Sequence, residues 1–196
     1  MQTLLPLALF AFVSSITPGP NNIMLTSSGI TFGFTRTVPH LLGISFGVCA
    51  LLALCAAGIG ELVLALPSAQ MMLKIAGSGY LLYLAWKLRL MALDQKQNIR
   101  TKPMSFAEAA LFQFANPKAW VMAVTGVSGF LPSTQPAAAT IGLFCLVFCM
   151  VNLPCTSVWA GTGAILGRHL EQPLWRRIFT VVMVALTIYS AAAMWF

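Results

Sequence analysis

Two short segments hold the residues best suited to chemistry in an otherwise apolar chain: Thr17-Pro18-Gly19-Pro20-Asn21-Asn22 and Asn116-Pro117-Lys118. Pro18 and Pro20 lack a backbone N–H and clash with the preceding turn, while Gly19 accepts dihedrals that other residues resist, so no continuous helix is expected there. Asn116-Pro117 reads as an N-cap followed by proline at the first helical position, which starts a new half-helix with Lys118 in its first turn. Such a terminus presents unpaired N–H groups and partial positive charge, to which Lys118 adds a full charge. The break at Pro20-Asn21 offers a second terminus. Two positive helix ends and an ammonium suit a carboxylate. The carbonyls freed ahead of the first break, those of Ser14, Ser15 and Ile16, together with the side-chain oxygens of Asn21, Asn22 and Asn116, suit an α-ammonium. A zwitterionic amino acid satisfies both. The plain alternatives are a kinked helix at the prolines and a Lys118 that snorkels along its stem.

The elements that must position these residues follow from composition. Of 196 residues, 59% are hydrophobic and 8% charged, with a mean hydropathy of +0.86. A water-facing domain carries about 25% charged residues, so most of this surface faces lipid, and the fold class is an all-α integral membrane protein. Apolar runs predict six transmembrane helices near 3 to 28, 38 to 60, 70 to 90, 107 to 130, 137 to 166 and 176 to 196. Joints are expected at Gly29 to Thr37, Pro67-Ser68, Asp94 to Pro103, Pro132 to Pro136 and Gln172-Pro173. The N-terminal run lacks a basic start and reads as a retained first span rather than a cleaved signal. Small-residue pairs, Gly43-x-x-x-Gly47 and Gly163-x-x-x-Gly167, and the run Gly77-Ser78-Gly79 allow helix backbones to approach closely.

Pro18 and Pro117 lie 99 positions apart, half the chain, and at that offset Gly43 echoes Gly142. Each half has three spans, so the second must enter the membrane from the opposite side. The expectation is a single transporter domain over 1–196, built as two inverted three-helix repeats, about 1–92 and 105–196, with helices 1 and 4 broken and a cytoplasmic loop between the halves. Matched broken helices point to a transporter site. At 1.5 Å per residue both breaks fall near the middle of a hydrocarbon core about 30 Å thick. Nine of the eleven Lys and Arg residues sit at joints on one side, which places that side in the cytoplasm and both termini outside. Their clustering between apolar runs, without interleaved aromatics, argues against nucleic acid as a partner.

The four acids, Glu61, Asp94, Glu108 and Glu171, all map to span ends or loops. No buried carboxylate awaits a cationic cargo side chain, so small neutral amino acids are favoured. Gln113 and Asn152, with Pro154, are candidates for polar lining or for packing between helices. His40 is expected at the cytoplasmic interface. A proton route falls to Lys118, Glu61 or His40. The five cysteines lie in apolar segments without CxxC spacing, the methionines have no repeated spacing, and neither a metal nor a cofactor is expected. A membrane thiol-disulfide electron carrier is the rival reading. It would need a reactive cysteine beside each break, and the nearest match is Cys49 against Cys145 or Cys149.

Thr17 to Asn22, Gly33-Phe34, Gly43 to Gly47, the Tyr80 to Trp86 stretch running into Lys87, and Gln113-Phe114-x-Asn116-Pro117-Lys118 together resemble the LysE/RhtB family of amino-acid exporters. The resemblance runs over the whole chain. It implies efflux of amino acids or close derivatives across the bacterial cytoplasmic (inner) membrane, with protons as the coupling partner. Pro18, Gly19, Pro20, Asn21, Asn22, Asn116, Pro117 and Lys118 match the family's motifs, whereas Gln113 and Asn152 join the candidate binding set from their place in the spans. Pro-Gly-Pro-Asn-Asn and Gln-Phe-x-Asn are most similar to the cysteine/O-acetylserine exporter branch, and threonine/homoserine exporters are the main competitor. The oligomeric state is left open, a homo-oligomer included.

Overall fold

The computed structural model describes residues 4–60, 65–93, 102–131, 137–167, 173–192 and 195. Among them every regular element is helical. The first span is two helices, α1 (Leu4–Ile16) and α2 (Pro20–Phe32), bent by 56° across Thr17–Gly19. α3 (Phe34–Leu54) follows and runs into a π turn at Cys55–Ile59. The expected loop from Gly29 to Thr37 shrinks to one residue. Gly33 adopts φ +80°, in the left-handed region that glycine enters without penalty, and its N–H closes on Gly29 O at 2.9 Å.

α4 (Pro67–Leu93) completes the first half, and α5 (Phe106–Ala115), α6 (Pro117–Phe130), α7 (Ala138–Gly167) and α8 (Pro173–Ala192) make up the second. A capping box starts α5. Ser105 Oγ accepts from the Glu108 N–H at 3.3 Å, and Glu108 returns a carboxylate oxygen to the Ser105 N–H at 2.8 Å. That fixes the role of the one acid among the described residues; Glu61, Asp94 and Glu171 lie outside them, as do most of the 94–103 joint and all of 132–136. Pro154 leaves α7 uninterrupted.

α3 with its π turn and α7 are each long and apolar enough to cross a membrane, and α1 with α2 forms a third, broken span. The remaining helices are shorter or more polar. Large apolar side chains face outward along the bundle, with Leu5 and Leu111 70% exposed and Met72 71% exposed. Such exposure is stable where the surroundings are hydrocarbon.

The two halves interlock. α1 and α2 pack on α7, α5 and α6 pack on α3, α3 meets α7, and α4 meets α8. Glycines set the closest approaches. A Cβ at Gly163 would strike the Thr26 carbonyl and one at Gly29 the Ala160 carbonyl, which binds α2 to α7; Gly43 and Gly47 meet the Phe106 and Ala110 carbonyls in the same way between α3 and α5. Gly77 of α4 lies against the Pro117 ring, while Gly79 faces open space. Gly142, at the repeat offset from Gly43, makes no such approach: nothing lies within 4 Å of a Cβ built there. His40 is buried within the bundle at 2% exposure.

Candidate functional site

Breaking a helix in hydrocarbon frees carbonyls that must find donors. In the first break each finds one inside the protein. Ser14 O accepts from Thr17 Oγ1 at 3.3 Å, Ser15 O from Asn22 Nδ2 at 2.8 Å and Ile16 O from the Trp159 indole at 3.1 Å. Asn22 Nδ2 also reaches Thr17 O at 2.8 Å. Ser190 of α8 donates to Pro18 O at 3.2 Å. The carbonyls of Ser14, Ser15 and Ile16, expected to await a ligand's ammonium, are therefore engaged by side chains of the protein. The broken helix is braced by α7 and α8 as well as by itself.

The second break uses the same device. Asn116 N-caps α6, its Oδ1 accepting from the Lys118 N–H at 3.2 Å. The Phe114 carbonyl, left over by that switch, accepts from the Trp120 indole at 2.9 Å. Of the two helix N-termini expected to face the site, the α6 terminus is thus capped by its own asparagine. The α2 terminus begins at Gly19, with Pro20 at the first position and no side-chain cap.

The breaks meet. Lys118 sends its ammonium across to the first one, donating to Thr17 O at 2.8 Å, Thr17 Oγ1 at 2.9 Å and Pro18 O at 3.1 Å. Asn21 and Gln113 exchange amides, with Asn21 Nδ2 donating to Gln113 Oε1 at 2.8 Å and Gln113 Nε2 donating to Asn21 Oδ1 at 3.1 Å. Gln113 is fully buried and also donates to Ala109 O at 3.0 Å. Asn152 of α7 joins a third link, accepting from Ser45 Oγ at 2.9 Å and donating to Ser15 Oγ at 3.0 Å. These bonds tie α1, α2, α3, α5, α6 and α7 around one point.

At that point lies a cavity of about 30 Å³, room for a water molecule or two. Gly19, Pro20, Asn21, Asn22, Asn116, Lys118 and Asn152 of the candidate set line it, together with Ser14, Ser15, Val48, Ala119 and Met122. Three anticipated residues stand behind it. Pro18 contributes its carbonyl to Lys118, Pro117 packs on Gly77, and Gln113 holds Asn21. Sequence reasoning missed Thr17 as a ligand of the lysine and the bracing residues Trp159, Trp120, Ser45 and Ser190. A hydroxyl next to Pro18 was the available signal for Thr17. The indoles gave none, because a tryptophan in an apolar span reads as packing until its N–H is seen to land on a freed carbonyl.

Cys49 and Cys145 face each other where α3 crosses α7, each thiol near the other's carbonyl at 3.6 and 3.7 Å, and both are free. No cysteine is among the cavity's lining residues. No cluster that could hold a metal ion occurs among the described residues.

A family model described as LysE type translocator matches residues 12–195. The cysteine/O-acetylserine efflux protein of Escherichia coli O157:H7 is 34% identical over 191 residues, and that of strain K12 is 32% identical; each alignment covers 95% of this chain and 94% of the relative. No solved structure gives a significant match.

Proposed function

The chain belongs to the LysE family of translocators, a transporter family and not an enzyme family, and from that premise we propose that it exports small neutral amino acids from the bacterial cytoplasm across the inner membrane in exchange for protons. The observation that carries this reading is the convergence of the two helix breaks on one small cavity, with a lysine ammonium from one break seated on carbonyls of the other. Broken helices meeting at a buried polar point are how membrane transporters build substrate sites. A carboxylate fits beside the uncapped start of α2 and the Lys118 charge, and an ammonium fits carbonyl and amide oxygens. Glu108, spent on a helix cap and exposed, supplies no counter-charge for a cationic cargo side chain. The names of the full-length relatives favour cysteine and O-acetylserine over threonine and homoserine as cargo.

The test is uptake into inside-out vesicles holding the purified protein. Cysteine, O-acetylserine and serine should compete for a saturable, proton-gradient-dependent flux, while lysine and arginine should not. Competition by the cationic amino acids at equal concentration would reject the neutral-cargo reading. The thiol-disulfide alternative has neither the family nor the cavity in its favour, and transport surviving in a cysteine-free variant would end it.

For topology we infer six spans in two inverted repeats, both termini outside. Its support is the repeated order of broken helix, long helix and third helix, with each broken pair packed on the other half's long helix. Single cysteines in a cysteine-free background at Thr35 and Lys102 should react only from the cytoplasmic side, and those at Ser68 and Ala138 only from outside. Thr35 and Ala138 labelling from the same side would rule out the inversion.

A further inference from the structure

The ammonium of Lys118 has three N–H donors, and three acceptors of the first break meet it: Thr17 O, Thr17 Oγ1 and Pro18 O, at 2.8, 2.9 and 3.1 Å. Other residues hold these acceptors in place. Asn22 braces Thr17 O, the Thr17 hydroxyl also reaches Ser14 O, and Ser190 shares its one hydroxyl hydrogen between Leu186 O at 2.8 Å and Pro18 O at 3.2 Å. The cradle is thus an ammonium site whose acceptors are also contacted by other residues of the protein. Lys118 fills it closely, since a Cβ placed on Gly19 would come within 2.7 Å of the lysine Cδ and 3.0 Å of its Nζ. The cavity beside it is about 30 Å³, room for a water molecule or two with the lysine in place.

We propose that the Thr17–Pro18 cradle is the subsite for the cargo's α-ammonium, and that Lys118 occupies it as a built-in stand-in until cargo displaces it. This rests on the amino-acid reading above and deepens it. Displacement has a chemical consequence for selection. An amine without a carboxylate would expel Lys118 from its three acceptors and offer its charge no partner, which is unfavourable inside a membrane. A carboxylate without an amine would draw Lys118 away and leave each cradle acceptor with one charge-assisted bond fewer, also unfavourable. A zwitterion meets both demands at once: its ammonium enters the cradle and its carboxylate takes the released lysine. The exchange selects α-amino acids over simple amines and simple acids without any further contact.

The experiment empties the cradle and offers it an amine. Purified full-length Lys118→Ala, and Lys118→Met as its companion, are titrated with propylammonium and with propanoate, and thermal unfolding is followed. Propylammonium is expected to stabilise both variants saturably, propanoate to do nothing, and the native protein to respond to neither. Adding Thr17→Val should weaken propylammonium binding about tenfold, the effect of removing one acceptor from a buried charged donor. If the variants fold only when propylammonium is present, and not with propanoate, the proposal is equally supported. Folded variants that ignore propylammonium, or unfolded ones that it does not recover, overturn it. No transport is measured here. A native protein that fails the vesicle assay would therefore remove the cargo assignment alone, whereas a failed amine titration would remove the cradle alone.

Discussion

Lys118→Met is expected to abolish amino-acid uptake into inside-out vesicles while leaving the protein folded in the membrane. Methionine keeps an apolar stem of similar length along Gly19 and removes the ammonium. The fold should survive because each acceptor keeps a contact besides the lysine: Thr17 O keeps Asn22, the Thr17 hydroxyl keeps Ser14 O, and Pro18 O keeps its share of the Ser190 hydroxyl. Transport should not survive, because the charge that would meet the cargo's carboxylate is gone. Hydrogen bonds to charged groups contribute about 1.5–3 kcal/mol each, so losing two to a carboxylate predicts a fall on the order of a hundredfold or more. Lys118→Arg should rescue little. Its planar fork is larger than an ammonium, and the Gly19 backbone and the cavity leave it no space. Uptake by the methionine variant at the native rate would assign Lys118 to bracing and move the carboxylate site elsewhere.

The second large effect is expected at Gly163. The backbone of α2 lies on this glycine, so a single added methyl group at Gly163→Ala meets the Thr26 carbonyl at a distance no real Cβ contact allows. The helices must separate. α2 carries Asn21 and Asn22, and α7 carries Asn152 and Trp159, so a separation lengthens the Trp159 bond to Ile16 O and loosens the brace of the first break. Overpacking of this kind costs about 1–3 kcal/mol or more, which should lower the thermal midpoint in detergent by several degrees and reduce transport with it. Gly129→Ala is the control, because nothing lies within 4 Å of its added Cβ and α6 is exposed there. Equal midpoints for the two alanine variants would mean that the α2–α7 contact is looser than described.

These two residues show how differently parts of the molecule could be read from the chain. Lys118 was legible because it breaks a rule: an ionisable side chain beside Asn-Pro in a long apolar run has no inexpensive structural explanation. The paired breaks, the helical class and the lipid-facing surface were legible for similar reasons, since proline, glycine and hydropathy act locally. Gly163 was legible only as a type of residue. A small-residue pair says that some backbone will come near, and Gly43 and Gly142, alike in sequence offset, differ completely in what they meet.

By itself the sequence determined where the chain cannot continue as a helix and which side chains are left at those points, because both follow from covalent geometry and from the cost of polar groups in hydrocarbon. Tertiary structure alone decided the partners. Whether the freed carbonyls of Ser15 and Ile16 awaited a ligand or a neighbour depended on Asn22 turning back onto its own break and on Trp159 arriving from a helix 143 residues away in the chain. The same packing sent Lys118 to Thr17 and Pro18 rather than into open cavity. A hydrogen bond forms only when donor and acceptor are within about 3 Å, and no local rule of sequence fixes which distant helices come that close.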